Sequence, residues 1–158
     1  MTRAFNVYVR PLLEYASHVW SPQVDKVESI QRRFTERLRV YSHLDYPSHL
    51  NALALMSLEK CRLVQDLVLT YKIIFGLLDI DSRKFFLKIR PIRCVNNVTR
   101  GNPYNLSVNN CRINVRQHYF AERVVSVWDS LSPSVDFSSL SAFKRTIYNA
   151  RLNLYTKY

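Results

Sequence analysis

The sequence predicts a mainly helical protein with a small antiparallel β-hairpin in its second half. Three observations carry that prediction. Apolar residues recur at helical spacing over much of residues 5–80 and again from residue 120 onward. Between these stretches, Tyr104-Asn105-Leu106-Ser107-Val108 and Cys111-Arg112-Ile113-Asn114-Val115-Arg116 alternate on either side of Asn109-Asn110, as two strands joined by a type I′-like turn would. Glycine is confined to Gly76 and Gly101, which leaves no glycine-rich phosphate loop and no Rossmann crossover. The expected organisation is a helical region over residues 1–80 and a hairpin plus two-helix module over residues 81–158, packed together as one unit.

Each element has its own signal. Leu12, Leu13, Ala16, Val19 and Trp20 predict a short apolar helix over residues 5–19, kinked or started by Pro11. Ser21-Pro22 reads as a cap followed by proline at the first helical position. The helix that follows has Val27, Ile30, Phe34, Leu38 and Tyr41 on one stripe, with Arg32, Glu36 and Arg39 opposite and Arg33 and Arg37 on the flanks. Asp45-Tyr46-Pro47-Ser48 is a turn signal before a short helix from about Ser48 to Leu55. Ser57 caps the next helix, and Glu59 in its first turn suits the helix dipole. Leu63, Val64, Leu67, Val68, Tyr71, Ile74 and Phe75 give this helix a wide apolar face, expected to be the buried spine, and Gly76 ends it as a left-handed cap. After the hairpin, Phe120, Val124, Val127, Trp128 and Leu131 define a helix that Pro133 ends. A last helix carries Leu140, Phe143, Ile147, Ala150 and Leu154.

The net charge of +11 is unevenly spread. Residues 1–60 hold eight Lys or Arg against six Asp or Glu, a net +2, and residues 61–158 hold fifteen against six, a net +9. Such an excess points to an anionic partner, most often nucleic acid. Cysteines stand only at 61, 94 and 111, with no CxxC, so neither a disulfide framework nor a zinc knuckle is expected, even with His118 near the last two. His18, His43, His49 and His118 have no nucleophile at a catalytic spacing. No secretory pattern is visible, and the longest apolar run, Leu67 to Leu78, is too short for a bilayer and carries Lys72. The expectation is a soluble intracellular protein of the nucleus and cytoplasm, with no membrane partner, small-molecule substrate or cofactor.

The run Val9-Arg10-Pro11-Leu12-Leu13-Glu14-Tyr15-Ala16-Ser17-His18-Val19-Trp20-Ser21-Pro22 resembles a segment just downstream of the polymerase palm in reverse transcriptases of LINE-type, jockey-like non-LTR retrotransposons. There the pattern reads Arg-Pro-x-Leu-Glu-Tyr-x-x-x-Val-Trp-x-Pro. Gln31-Arg32-Arg33, then Tyr46, Leu50, Leu53, Leu55, Ser57, Leu58 and Glu59, then Tyr71-Lys72-Ile73-Ile74-Phe75-Gly76 follow the same family's order. So do Asp79, Asp81, Phe85 and Phe86, Arg100-Gly101, and the set Arg112, Arg116, Tyr119, Phe120, Arg123, Val124, Trp128, Asp129, Leu131, Phe143 and Lys144. Departures are His49 for an arginine, Lys60-Cys61-Arg62 for a basic pair, Asp129 for asparagine, and Pro133 one position late.

The resemblance implies a C-terminal, thumb and post-thumb fragment of an RNA-directed DNA polymerase, with a thumb-like helical bundle. Templated synthesis needs paired carboxylates on Mg²⁺, which the family supplies from its palm. This sequence has no Asp-Asp pair, and Asp79-Ile80-Asp81 reads as a turn. The chain alone is therefore expected to be non-catalytic and cofactor-free. Its expected partners are RNA and DNA, held mainly through phosphates, and the parent polymerase's palm and fingers. Candidate phosphate contacts are Arg32, Arg33, Arg39, Arg112, Arg116, Arg123, Lys144 and Arg145, and candidate palm-facing apolar residues are Leu12, Leu13 and Val19. Trp20 and Trp128 could stack on bases, but their apolar stripes favour the core. The alternatives are a free-standing basic nucleic-acid- or partner-binding protein derived from a mobile element, and a functionless relic.

Overall fold

The computed structural model describes residues 2–18, 24–38, 43–81, 104, 106, 120–150 and 152–156. The described elements are α1 (Thr2–Ala4), a π turn (Phe5–Val9), α2 (Arg10–Glu14), α3 (Val24–Glu36), α4 (Tyr46–Ala52), α5 (Leu58–Ile74), α6 (Phe120–Asp129), α7 (Leu140–Asn149) and a closing 3-10 turn (Leu152–Tyr155). The protein is mainly helical, as the periodicity predicts. Among the described residues there is no strand, so the expected hairpin gains no support. All of it except Tyr104 and Leu106 lies outside the described residues. Contacts group Met1–Leu63 with Leu152–Tyr158, and Val64–Arg151 as a second compact unit, so the division falls inside α5.

In the first unit the N-terminal helix differs from expectation. It ends at Glu14 rather than near residue 19, and Ala16 adopts a left-handed backbone. A single π turn precedes the proline: the Arg10 N–H bonds the Phe5 carbonyl, five residues back. Proline has no N–H and its ring crowds the carbonyl four residues before it, so widening the helix at this point relieves the clash.

The buried face of α3 is also rotated from the apolar stripe. Ile30 is 42% exposed, and the buried residues are Val27, Glu28, Gln31 and Thr35. Polar partners explain this. The Tyr46 hydroxyl donates to Glu28 Oε1. Glu28 Oε2 accepts the Glu59 N–H at 3.2 Å, and Gln31 Nε2 donates to the Met56 carbonyl at 3.1 Å. Glu28 thereby places a carboxylate at the N-terminus of α5, where the dipole favours it, beside the Ser57 Oγ cap that accepts the Lys60 N–H. Burial, with the hydrogen bond to Glu28, holds the Tyr46 phenol above its ordinary value.

The α4 helix begins at Tyr46, earlier than the turn signal implies, because Pro47 is tolerated in a first turn whose N–H groups need no helical partner. At its other end Leu55 N–H reaches the Leu50 carbonyl at 2.8 Å and Ala54 N–H reaches Asn51 at 3.2 Å, with Ala54 left-handed at φ 49°. This is a Schellman cap, and Leu55 packs back with Leu50 and Tyr46 in one cluster. An L-residue in that region is strained, so Ala54→Gly should raise stability by about 0.5–1 kcal/mol, net of the added chain entropy. A thermal melt should show a Tm gain of about 2–4 °C. At Gly76 the same cap forms as the sequence predicts: φ is 65°, Leu77 N–H bonds Lys72 and Gly76 N–H bonds Ile73.

In the second unit α5 supplies Val64, Leu67, Tyr71 and Ile73 to the core, with Asp66 and Thr70 buried among them. Phe120, Val124, Val125, Val127 and Trp128 of α6, and Phe143 and Ile147 of α7, are buried too. Aromatic rings organise this core: Tyr71 stacks on Phe143 at 4.6 Å between centroids, and Trp128 meets Phe137 edge-on at 5.6 Å.

Candidate nucleic-acid interface

The structure separates the basic residues into those held inside the fold and those left in solvent. Arg123 on α6 forks onto Asp66 on α5, with Nε to Oδ2 at 2.7 Å and Nη2 to Oδ1 at 3.0 Å. The Asp66 side chain is only 4% exposed, so this pair braces the second unit. Arg32 is half-buried, with its guanidinium 4.9 Å from the Tyr46 ring centre. Arg10 pairs with Glu14 at 2.7 Å and also bonds the Met56 carbonyl and Cys61 Sγ. Burial pushes the Cys61 thiol up to about 11, against the pull of Arg10. A thiol of that kind packs as a small apolar group rather than reacting.

Two helical faces carry groups of exposed cations. On α3, Lys26, Ile30 and Arg33 share the outward face with Arg37 just beyond the helix, at offsets 0, 4, 7 and 11. The rotation of α3 makes this its outward side, so Arg33 and Arg37 are central rather than flanking. On α7, Ser141, Lys144, Arg145 and Tyr148 are exposed at offsets 0, 3, 4 and 7, while Phe143 and Ile147 anchor the inner face. Among the described residues none of Lys26, Arg33, Arg37, Lys144 and Arg145 forms an ion pair. Arg145 feels only the general attraction of Asp136, whose carboxylate already accepts the Ser138 N–H at 2.8 Å.

Of the residues expected to contact phosphate, Arg33, Lys144 and Arg145 stand free in solvent, while Arg32 and Arg123 have partners within the protein. Arg39, Arg112 and Arg116 lie outside the described residues. Sequence reasoning passed over Lys26 and Tyr148. The signal was available, since Lys26, Arg33 and Arg37 share a helical phase, and Tyr148 follows Lys144 by one turn.

Leu12 is 72% exposed on α2, with Tyr8 in the preceding π turn and Tyr15 just past the helix exposed at 74% and 75%. Leu13 is half-buried, and Val19 lies outside the described residues. Asp79 and Asp81 are exposed in the turn after Gly76. Among the described residues no group of His, Cys, Asp or Glu is placed to hold a metal, and no helix is long and apolar enough to cross a membrane. No protein-family model, curated protein or solved structure matches this chain.

Proposed function

We propose that this chain is the thumb and post-thumb part of a LINE-type reverse transcriptase, holding the backbone of an RNA–DNA template–primer and bracing the palm, with no catalysis of its own. The ordered resemblance from Arg10 to Lys144 suggests the identity. The observation that carries the binding role is the set of unpaired exposed cations on α3 and α7 in a chain of net charge +11. Phosphate recognition requires such groups and little else, because backbone contacts position a duplex without reading its sequence. The exposed apolar Leu12, with Tyr8 and Tyr15 around it, supports a palm-facing surface at α2. The thumb-like bundle with a hairpin over residues 104–116 belongs to the same reading.

The test is binding of an RNA–DNA hybrid between about 50 and 200 mM salt. Affinity should fall steeply with salt. Replacing Lys26, Arg33, Arg37, Lys144 and Arg145 together by alanine should lower the slope of log K against log salt by about 4.5, roughly 0.9 for each lost phosphate contact. If the wild-type chain has no measurable affinity at about 50 mM salt, the proposal fails.

A further inference from the structure

We propose that Tyr148, flanked by Lys144 and Arg145 on the outer face of α7, is a stacking platform for an unpaired base, so that this face takes single-stranded nucleic acid. The inference rests on the nucleic-acid reading above and narrows its substrate class.

Tyr148 is 51% exposed, and among the described residues it makes no hydrogen bond or ring contact. A buried phenol here finds partners: Tyr71 donates its hydroxyl to the Phe137 carbonyl at 3.0 Å and stacks on Phe143 and Phe75. Of the two tryptophans that could have offered a stacking surface, Trp20 lies outside the described residues, and Trp128 is fully buried with its Nε1 donating to the Tyr104 carbonyl at 2.8 Å. Tyr8, Tyr15 and Tyr155 are also exposed, but Tyr8 and Tyr15 have no Lys or Arg three or four residues away, and Tyr155 already has a partner. Tyr148 has both, Arg145 at i−3 and Lys144 at i−4.

That spacing sets the chemistry. Lys144 and Tyr148 are four residues apart, about 6 Å along the helix axis, on one face. A phosphate at the cations leaves its own or the adjacent base within reach of the ring. Only an unpaired base can use it, because the bases of a continuous duplex already stack on one another. The α7 sequence Leu140 to Asn149 contains no acidic residue to repel the strand. The platform is also rigid. Phe143 and Ile147 are fully buried beneath it, and Ser139 Oγ caps the helix by accepting the Ala142 N–H at 3.1 Å.

The probe is a single strand of about 12 nucleotides carrying 2-aminopurine, compared with a blunt RNA–DNA hybrid, each titrated with the full chain. Tyr148→Ala should weaken single-strand binding about 5- to 100-fold and remove the quenching of 2-aminopurine on binding. Tyr148→Phe should keep both properties, because the stacking face is retained. Hybrid affinity should be the same for all three chains. Lys144→Ala should weaken both ligands and reduce the salt slope. If Tyr148→Ala binds the single strand as tightly as wild type, the inference is overturned while the backbone-binding role stands. If the wild type binds neither probe at about 50 mM salt, the proposed function fails and takes the inference with it.

Discussion

Arg123→Ala is expected to lower the unfolding free energy by about 3 kcal/mol and to leave the salt dependence of nucleic-acid binding unchanged. The substitution strands Asp66, a carboxylate only 4% exposed in the core side of α5, without its bidentate partner. The loss is set by that buried charge more than by the pair itself, and the 23% exposure of Arg123 keeps it at the low end of such values. Two further variants separate the causes. Arg123→Lys keeps the charge but cannot fork onto both oxygens, so it should recover part of the loss. Asp66→Leu with Arg123→Leu removes both charges and should be far less harmful than either single change. Urea melts measure the stability, and the hybrid titration measures the slope. An Arg123→Ala chain of normal stability whose slope drops by about one would place this arginine on phosphate instead.

Trp128→Ala should cost about 3–5 kcal/mol, the largest single-site effect expected in the protein. Trp128 is fully buried, meets Phe137 and Phe143 at 5.6 and 5.8 Å, and spends its one polar group on the Tyr104 carbonyl. Alanine leaves a cavity lined by rings too rigid to close it, and Tm should fall by roughly 10 °C or more. Trp128→Phe keeps most of the contact area and loses the hydrogen bond, so it should fall between. The near-UV circular dichroism of the aromatic core should weaken in the same order. A Trp128→Ala melt within about 2 °C of wild type would contradict the packing described here.

These two residues also show where the sequence was readable. Trp128 shares its apolar stripe with Phe120 and Val124, and all three are buried as that spacing requires. The α5 cap at Gly76 was equally readable, because a left-handed position after an apolar run is a local property of the chain. Arg123 was not, for its partner lies 57 residues away on another helix. Nothing in its own neighbourhood distinguishes it from Arg33, which stands in solvent. The same limit applies to α3, where the apolar stripe pointed to Ile30 and the fold buried Glu28 and Gln31 instead. A polar residue is buried only when its partners arrive, and Tyr46, Met56 and Glu59 come from elsewhere in the chain.

By itself, then, the sequence determined the helical class, the positions of α5 and α6, the start of α7, the Gly76 cap and the basic excess. All of these are set by composition or by spacing within a few turns. Tertiary structure alone decided which side of α3 faces outward, which arginines are held by carboxylates or rings, and that Tyr148 stands open to solvent. The physical reason is that burial of a charge or an aromatic tip depends on partners brought from distant segments, and those partners also decide which groups remain free to meet another molecule.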